Sequence, residues 1–479
     1  VRILYFGVNV VLQDVLQQLN TDHSAAVDRL LQFLAIPSIS TDDSCKRHMT
    51  QAAEHVVEQL KAAGLSPEIQ QTQGHPVVYA STTDPQVADP SAPRILFYGH
   101  YDVQPPDPVN AWTTPPFEPA VREGNVYARG ARDDKGQISC FFEAVRAYHA
   151  AGVKLPCHVT VLIEGEEECG SINLPAFVQE HKQQLQADII VISDSTMWGH
   201  GKGTKIGTGV PSICYAMRGM VYFDVQLHGP NRDLHSGVYG GTLANPANVL
   251  TRVLGKLMDE NERITIPGFY DDLQPLGHHE KALWDKLNFD EQTFFQSVGM
   301  SQGHGESGYS TLQRRWARPA CDINGLYGGY GEEGAKTVLP AMAGAKVSFR
   351  ISDGQNPSKI AQAFTQWLEA QPTHGLSWKI TRYACASPAL MATDSQWISA
   401  ASNAIKQATG LEPVMVREGG TIPLISEFRN ILGIDTLMVG FGLDSDSTHS
   451  PNEHFGLDRF TQGCKTHVAL LAEFGKVKN

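Results

Sequence analysis

Apolar residues recur at helical spacing first over residues 25–36 (Val27, Leu30, Leu31, Leu34) and again over 50–65 (Ala53, Val56, Val57, Leu60). The second run closes on Gly64, which suits a helix C-cap. The period then changes. Residues 95–98, 159–163, 189–192 and 436–439 are short, almost unbroken apolar runs rich in β-branched side chains. Runs of that length suit strands buried on both faces, hence a largely parallel sheet covered by helices, one of them expected over 135–151.

From about 214 to 388 the pattern is different. Val221, Phe223, Val225 and Leu227 alternate with polar residues, as do Val347, Phe349 and Ile351, and Leu376, Trp378 and Ile380. Such alternation marks half-exposed antiparallel strands. Two helical patterns lie between them (Val249, Leu250, Val253, Leu254, Leu257; Ile360, Ala361, Phe364, Trp367, Leu368), and a further strand is expected near 322–326. The order βαββαβ is that of a split, ferredoxin-like α+β unit. The chain is therefore expected to be an α/β protein with a mostly parallel sheet built from 1–213 and 389–479, interrupted by an inserted α+β ferredoxin-like domain over 214–388. Residues 266–320 follow neither period and are expected as an irregular lid segment.

Composition narrows the function classes. Of 479 residues, 38 are Lys or Arg and 51 are Asp or Glu, a formal net charge of −13, which opposes binding to nucleic acid or to an anionic membrane. With 42% hydrophobic and 19% charged residues the chain is expected to fold, not to remain disordered. Eight cysteines are scattered with no C-x-x-C pair, so buried thiols and a cytoplasmic location are expected instead of a disulfide framework or a thiolate zinc site. The apolar stretch from Val1 to Leu12 carries one Arg and no small-residue cleavage site, and is expected as a helix packed on the body.

Metal-ligand residue types follow each apolar run: Gly99-His100-Tyr101-Asp102, then Glu164-Gly165-Glu166-Glu167-Glu168, Ser193-Asp194, and His449-Ser450-Pro451-Asn452-Glu453. The carboxyl ends of strands in open α/β sheets form the ligand crevice. A further pair, Asp133-Asp134, opens the helix at 135 and in isolation would read as an N-cap. Glutamates repeated at the end of a buried strand repel one another unless a cation is present. Imidazole with carboxylate and no thiolate suits zinc, or else manganese or cobalt. Asp133, Glu168 and Asp194 with two neutral histidines and one hydroxide would balance two divalent ions. Glu167 would be left as general base, and Asp102 could orient His100.

Longer motifs carry a resemblance. Gly99-His100-Tyr101-Asp102-Val103-Gln104-Pro105, Tyr127-Ala128-Arg129-Gly130-Ala131-Arg132-Asp133-Asp134-Lys135-Gly136, Glu167-Glu168-Cys169-Gly170-Ser171, Asp233-Leu234-His235-Ser236-Gly237 and Arg417-Glu418-Gly419-Gly420-Thr421 closely resemble the dinuclear-zinc metallopeptidases that include carnosinase, aminoacylase and glutamate carboxypeptidase. The likeness runs from about residue 25 to the C-terminus. Residues 112–117 and 233–241 are most similar to the dipeptidase branch.

The resemblance implies that Asp133 bridges two metals, with His100 and Asp194 completing one, Glu168 and His449 the other, and Glu167 as base. It further implies a cis peptide after Asp133, and a homodimer formed through the lid in which His235 reaches the neighbouring active site to stabilise an oxyanion. Arg350 would grip the substrate carboxylate, with Thr337, Gly420 and Thr421 as further substrate-binding residues. The implied reaction is hydrolysis of a dipeptide or short peptide by a metal-activated water and a glutamate base. Removal of an acyl group from an N-acyl amino acid at the same site is the main alternative. A different class is suggested only by Gly299-Met300-Ser301-Gln302-Gly303, which fits the G-x-S-x-G pattern of serine hydrolases; that pattern requires a strand before Ser301 and a helix after it, whereas residues 294–298 before it read as a polar, helical stretch. Gly329-Tyr330-Gly331-Glu332-Glu333-Gly334 fits a dinucleotide-binding pattern but leads into no helical sequence.

Overall fold

Alternation along the buried strands decides what covers each face of the main sheet. In the computed structural model, which describes residues 2–205 and 207–478 and only the backbone of 2–11, the four apolar runs become the strands Arg94–His100, His158–Glu164, Ile189–Ile192 and Thr436–Met438. They lie side by side and parallel at the centre of a nine-stranded sheet. Antiparallel strands flank them: Ser66–Gln70 and Val77–Ser81 on one side, Ser212–Met217 and Ala389–Leu390 on the other.

Ile95, Phe97, Val159, Val161, Ile163, Ile189 and Val191 point into one core with the helices His23–Leu34, Lys46–Ala62, Lys135–Ala150, Gln396–Thr409 and Leu457–Phe474. Leu96, Tyr98, Leu162, Ile190 and Ile192 point into a second core with Leu174–Glu180 and Pro423–Leu432. Both faces are thus dry, as a sheet with continuous apolar strands demands. The helix Lys135–Ala150 is buried on nearly its whole circumference, which fixes the start of that helix, and hence Asp133, against the strand ends. The helix Arg2–Thr21 begins the described chain, but the packing expected of the side chains of residues 1–11 lies outside the described residues.

The chain leaves the large sheet at Arg218 and enters a four-stranded antiparallel sheet of Gly219–His228, Ala320–Gly328, Met342–Ile351 and Ser377–Ala386, backed by the helices Pro246–Leu254 and Pro357–Glu369. This is the expected βαββαβ order. The 266–320 stretch departs from expectation: it holds three short helices, His278–Asp285, Glu291–Ser297 and Thr311–Trp316. Trp284, Leu287, Leu312 and Trp316 belong to the second core of the large sheet, so the segment is packed against that sheet. Ser301 sits exposed beyond the end of Glu291–Ser297, with no strand before it, and the serine-hydrolase reading is thereby removed. Residues 329–334 form a loop that leads to the strand Val338–Leu339, not to a helix, which removes dinucleotide binding on that pattern. No helix of the described residues is long and apolar enough to cross a membrane.

His467, on Leu457–Phe474, is buried among the edges of Phe97, Phe141 and Phe441 and bonds Ser193 Oγ at 2.9 Å. Burial pushes its imidazole down to about 3. Below pH 6.5 the unfolded chain therefore takes up a proton that the folded chain refuses, so stability falls as the pH drops toward 3, by at most about 1.4 kcal/mol per pH unit. In metal-free protein the stability difference between wild type and His467→Gln, read by urea unfolding, is expected to shift by about 2 kcal/mol against the wild type between pH 7 and pH 5. A constant difference across that range would show that the buried ring does not titrate as stated.

Candidate dinuclear metal site

The strand Arg94–His100 ends on His100, and the next loop turns its backbone so that Asp102 lies beneath the ring. His100 Nδ1 contacts the Asp102 carbonyl at 3.1 Å and its carboxylate at 3.4 Å. The two carboxylate oxygens of Asp102 accept the N–H groups of Glu167 (3.2 Å) and Glu168 (3.0 Å), which follow the neighbouring strand His158–Glu164. Asp102, fully buried, therefore ties His100 to the glutamate turn as well as orienting its ring.

Asp133 is the centre of the cluster. Its Oδ1 lies 3.1 Å from His100 Nε2 and its Oδ2 lies 3.0 Å from His449 Nε2. Asp194 Oδ2 approaches His100 Nε2 at 3.9 Å, and Glu168 Oε1 approaches His449 Nε2 at 3.3 Å. Two triads result, His100 with Asp133 and Asp194, and Asp133 with Glu168 and His449, each with its ligand atoms within 4.8 Å of one another. The five expected ligands are thus brought together, and the peptide bond between Asp133 and Asp134 is cis. Asp134 occupies the N-cap position of Lys135–Ala150 but caps nothing; both its carboxylate oxygens are buried without a hydrogen-bond partner.

The donors fit divalent cations. Burial and the nearby Asp133 push the Asp194 carboxyl up to about 6 and raise that of Glu168. Glu168 Oε1 is buried with no hydrogen bond, while Gln104 holds its other oxygen at 2.8 Å. Hydrogen bonds to the two imidazoles overcome burial and hold Asp133 well below the usual carboxylate range. Carboxylates crowded out of water gain most from a multivalent positive charge. Glu167 belongs to neither triad; burial raises its carboxyl well above the ordinary value, with Asp194, Glu168 and Asp133 adding to the rise and His100 opposing it.

Two residues at the site carried no assignment from sequence. The Arg132 guanidinium, buried, donates to Asp194 Oδ1 at 2.9 Å and lies 3.5 Å from Asp133 Oδ2, so it occupies the Asp194 oxygen that does not face His100. The Glu453 carboxylate accepts from the backbone of Gly130 (3.1 Å), Arg132 (2.9 Å) and Asp133 (3.1 Å) and from the Arg129 side chain (2.6 Å). It shapes the loop that presents Asp133. The signal available in sequence was an acid four residues after His449 and an arginine beside Asp133, neither of which reveals its partner.

Of the expected substrate-binding residues, Arg350 donates to Thr421 Oγ1 at 2.7 Å, and that hydroxyl donates in turn to the Arg218 carbonyl. The Gly420 N–H is held by Glu418 at 3.2 Å. These residues form one unit where the small sheet meets the strand Val414–Glu418. His235 and Thr337 lie elsewhere, both exposed, on a two-stranded ribbon where His235 pairs with Val338. Among the described residues neither makes a hydrogen bond or ion pair with the ligand cluster.

The family described as Peptidase family M20/M25/M40 matches residues 96–473. The Cys-Gly metallodipeptidase DUG1 of Candida albicans is 31% identical, covering 94% of this chain and 94% of that protein. The Beta-Ala-His dipeptidase of Mus musculus is 32% identical over 81% of this chain and 78% of its own. Among solved structures, that of the di-peptidase Dug1p from Saccharomyces cerevisiae superposes with a TM-score of 0.83 at 28% identity, covering 98% of this chain and 99% of that one.

Proposed function

The chain belongs to peptidase family M20/M25/M40 and is a metallodipeptidase, and from that premise we propose a residue-level account of how its site hydrolyses dipeptides. The observation that carries it is the pair of triads sharing Asp133, one oxygen toward each imidazole. His100, Asp133 and Asp194 would hold one ion and Asp133, Glu168 and His449 the other, zinc being the first choice for this donor set and manganese or cobalt the alternatives. Bound there, the two cations supply Lewis acidity to the scissile carbonyl and acidify water.

The chain's own groups do the rest. The Glu167 carboxylate takes the proton of the attacking water and returns it to the leaving amine. Arg350, supported by Thr421 and beside Gly420, holds the substrate's C-terminal carboxylate, and Thr337, next to His235 on the exposed ribbon, joins it only from a second copy of the chain; this fixes the scissile bond in a carboxypeptidase-like register. His235 donates to the developing oxyanion. Its exposure and its separation from the ligands of its own chain support action across a homodimer formed by the inserted domain. All eight cysteines are free and most are buried, in keeping with a cytoplasmic location.

A panel of dipeptides against N-acyl amino acids, run on metal-loaded enzyme with and without chelator, tests the reading. Dipeptide cleavage abolished by chelation and restored by zinc is expected; preferential cleavage of N-acyl amino acids would move the chain to the deacylase reaction. Sharing of His235 has its own readout. Glu167→Gln and His235→Ala proteins, each inactive alone, are expected to regain part of the wild-type activity when mixed and allowed to exchange subunits, since a hybrid has one site with both residues intact. No recovery after verified exchange would place His235 outside the partner's site.

A further inference from the structure

Next to the strand that carries Arg350 lies a cavity of about 420 Å³, between the start of the strand Ala320–Gly328 and the helices Glu291–Ser297 and Thr311–Trp316. Its wall carries Arg218, Arg314 and Arg315 together with Phe294 and Phe295. It adjoins the substrate-carboxylate residue by two routes. Thr421 Oγ1 joins the Arg350 side chain to the Arg218 backbone, and Ala320, which lines the cavity, is the strand partner of Arg350.

The charges of this wall are unevenly satisfied. Glu306 is taken by Arg318 at 2.6 Å and by Arg263 at 3.2 Å, and Glu262 pairs with His304 at 3.1 Å. Arg314 donates to Thr311. Arg218 donates its Nε to the Gly419 carbonyl and one amino group to the carbonyls of Arg314 and Arg318, and its second amino group has no hydrogen-bond acceptor among the described residues. Arg315 lies over the Phe294 ring at 5.1 Å with its Nη1 buried and unpartnered. Asp322, which also lines the cavity, and Glu418 act on Arg218 and Arg350 through space, and Asp444 feels Arg315, yet among the described residues no carboxylate forms an ion pair with Arg218, Arg315 or Arg350. In a chain with an excess of acids, three guanidinium groups left without a carboxylate at one seam call for anions from outside.

We propose that this cavity is a subsite for the side chain of the substrate's C-terminal residue and selects an acidic one, Asp or Glu. The proposal rests on the dipeptidase reading above, in which Arg350 takes the terminal carboxylate. Arg315 and the free amino group of Arg218 then take the side-chain carboxylate, and Phe294 and Phe295 cover its methylenes. A C-terminal Lys or Arg would face like charge and be rejected.

The test compares kcat/KM for Gly-Glu, Gly-Gln and Gly-Lys on the zinc-loaded full-length enzyme. Gly-Glu is expected to exceed Gly-Gln by about tenfold or more, the scale of one desolvated charge contact, and Gly-Lys to be the poorest. In Arg315→Gln the ratio of Gly-Glu to Gly-Gln is expected to fall toward one, the loss lying in KM for Gly-Glu. Inhibition of the wild type by free L-glutamate should likewise be stronger than by L-glutamine, a measurement that needs no variant and so survives any folding defect in Arg315→Gln. Hydrolysis of Gly-Gln at a rate equal to or above that of Gly-Glu, with equal inhibition by the two amino acids, would overturn the subsite while leaving the dipeptidase reading intact. A preference for Gly-Glu retained in folded Arg315→Gln would also overturn it, by placing the acidic side chain elsewhere. Failure to cleave any dipeptide would remove both readings.

Discussion

Glu167→Gln protein is expected to bind its full complement of two metal ions and to lose turnover by about a thousandfold, the usual range for removing a positioned base. The separation of the two effects follows from geometry. Glu167 belongs to neither ligand triad, so the donor set is untouched by the change. Its backbone N–H is fixed on Asp102 Oδ1, and Asp102 simultaneously holds Glu168, so the turn that presents both residues does not depend on the Glu167 side chain. An amide of the same shape keeps the packing and cannot accept the proton. The measurement is metal content by elemental analysis beside kcat and KM for a dipeptide: metal retained, KM little changed, kcat collapsed. Near wild-type kcat would mean that the proton goes to another group, and loss of metal would mean that Glu167 is a ligand. Asp102→Asn is expected to differ in kind. It weakens the support of His100 and of the glutamate turn together, so metal affinity and kcat should fall jointly, by about 10-fold to 100-fold.

How far this site could be read from sequence depended on the range of each interaction. The four central strands were legible because burial on both faces leaves continuous apolar runs, and the residues that follow them inherit a common edge. His100, Glu168 and Asp194 were singled out by that logic, the motif around Asp133 extended it, and the structure brings the four together. Arg132 and Glu453 were not, because their meaning lies in partners 62 and 320 residues away: Asp194 for one, the Asp133 backbone for the other. Read locally, each is an ordinary charged residue. Beyond the helical stretch at 294–298, the helices of 266–320 were missed for a related reason. His278–Asp285 and Thr311–Trp316 are only eight and six residues long, too short to establish a period, and they stand because Trp284, Leu312 and Trp316 bury against the large sheet. The same tertiary placement puts Arg315 beside the Arg350 unit, which no spacing along the chain announces.

With the proposed ligand set, Asp133 is the residue whose loss should empty both positions. His100 and Asp194 serve only the first triad and Glu168 and His449 only the second, whereas Asp133 gives one oxygen to each. Asp194→Ala is therefore expected to retain about one metal ion per chain, since the Asp133, Glu168 and His449 triad is left whole, and Asp133→Ala to retain almost none. Because metal binds the folded chain preferentially, occupancy also appears as stability. Chelator should lower the melting temperature of the wild type markedly, that of Asp194→Ala by less, and that of Asp133→Ala hardly at all. Glu453 gives a control that separates the carboxylate from its placement: Glu453→Gln leaves every ligand in the sequence but weakens the acceptor that holds the Arg132 and Asp133 N–H groups, so it should reduce affinity for both ions without abolishing either. If Asp133→Ala still bound one ion as tightly as Asp194→Ala, the two positions would not share this carboxylate, and the dinuclear arrangement built on it would fail.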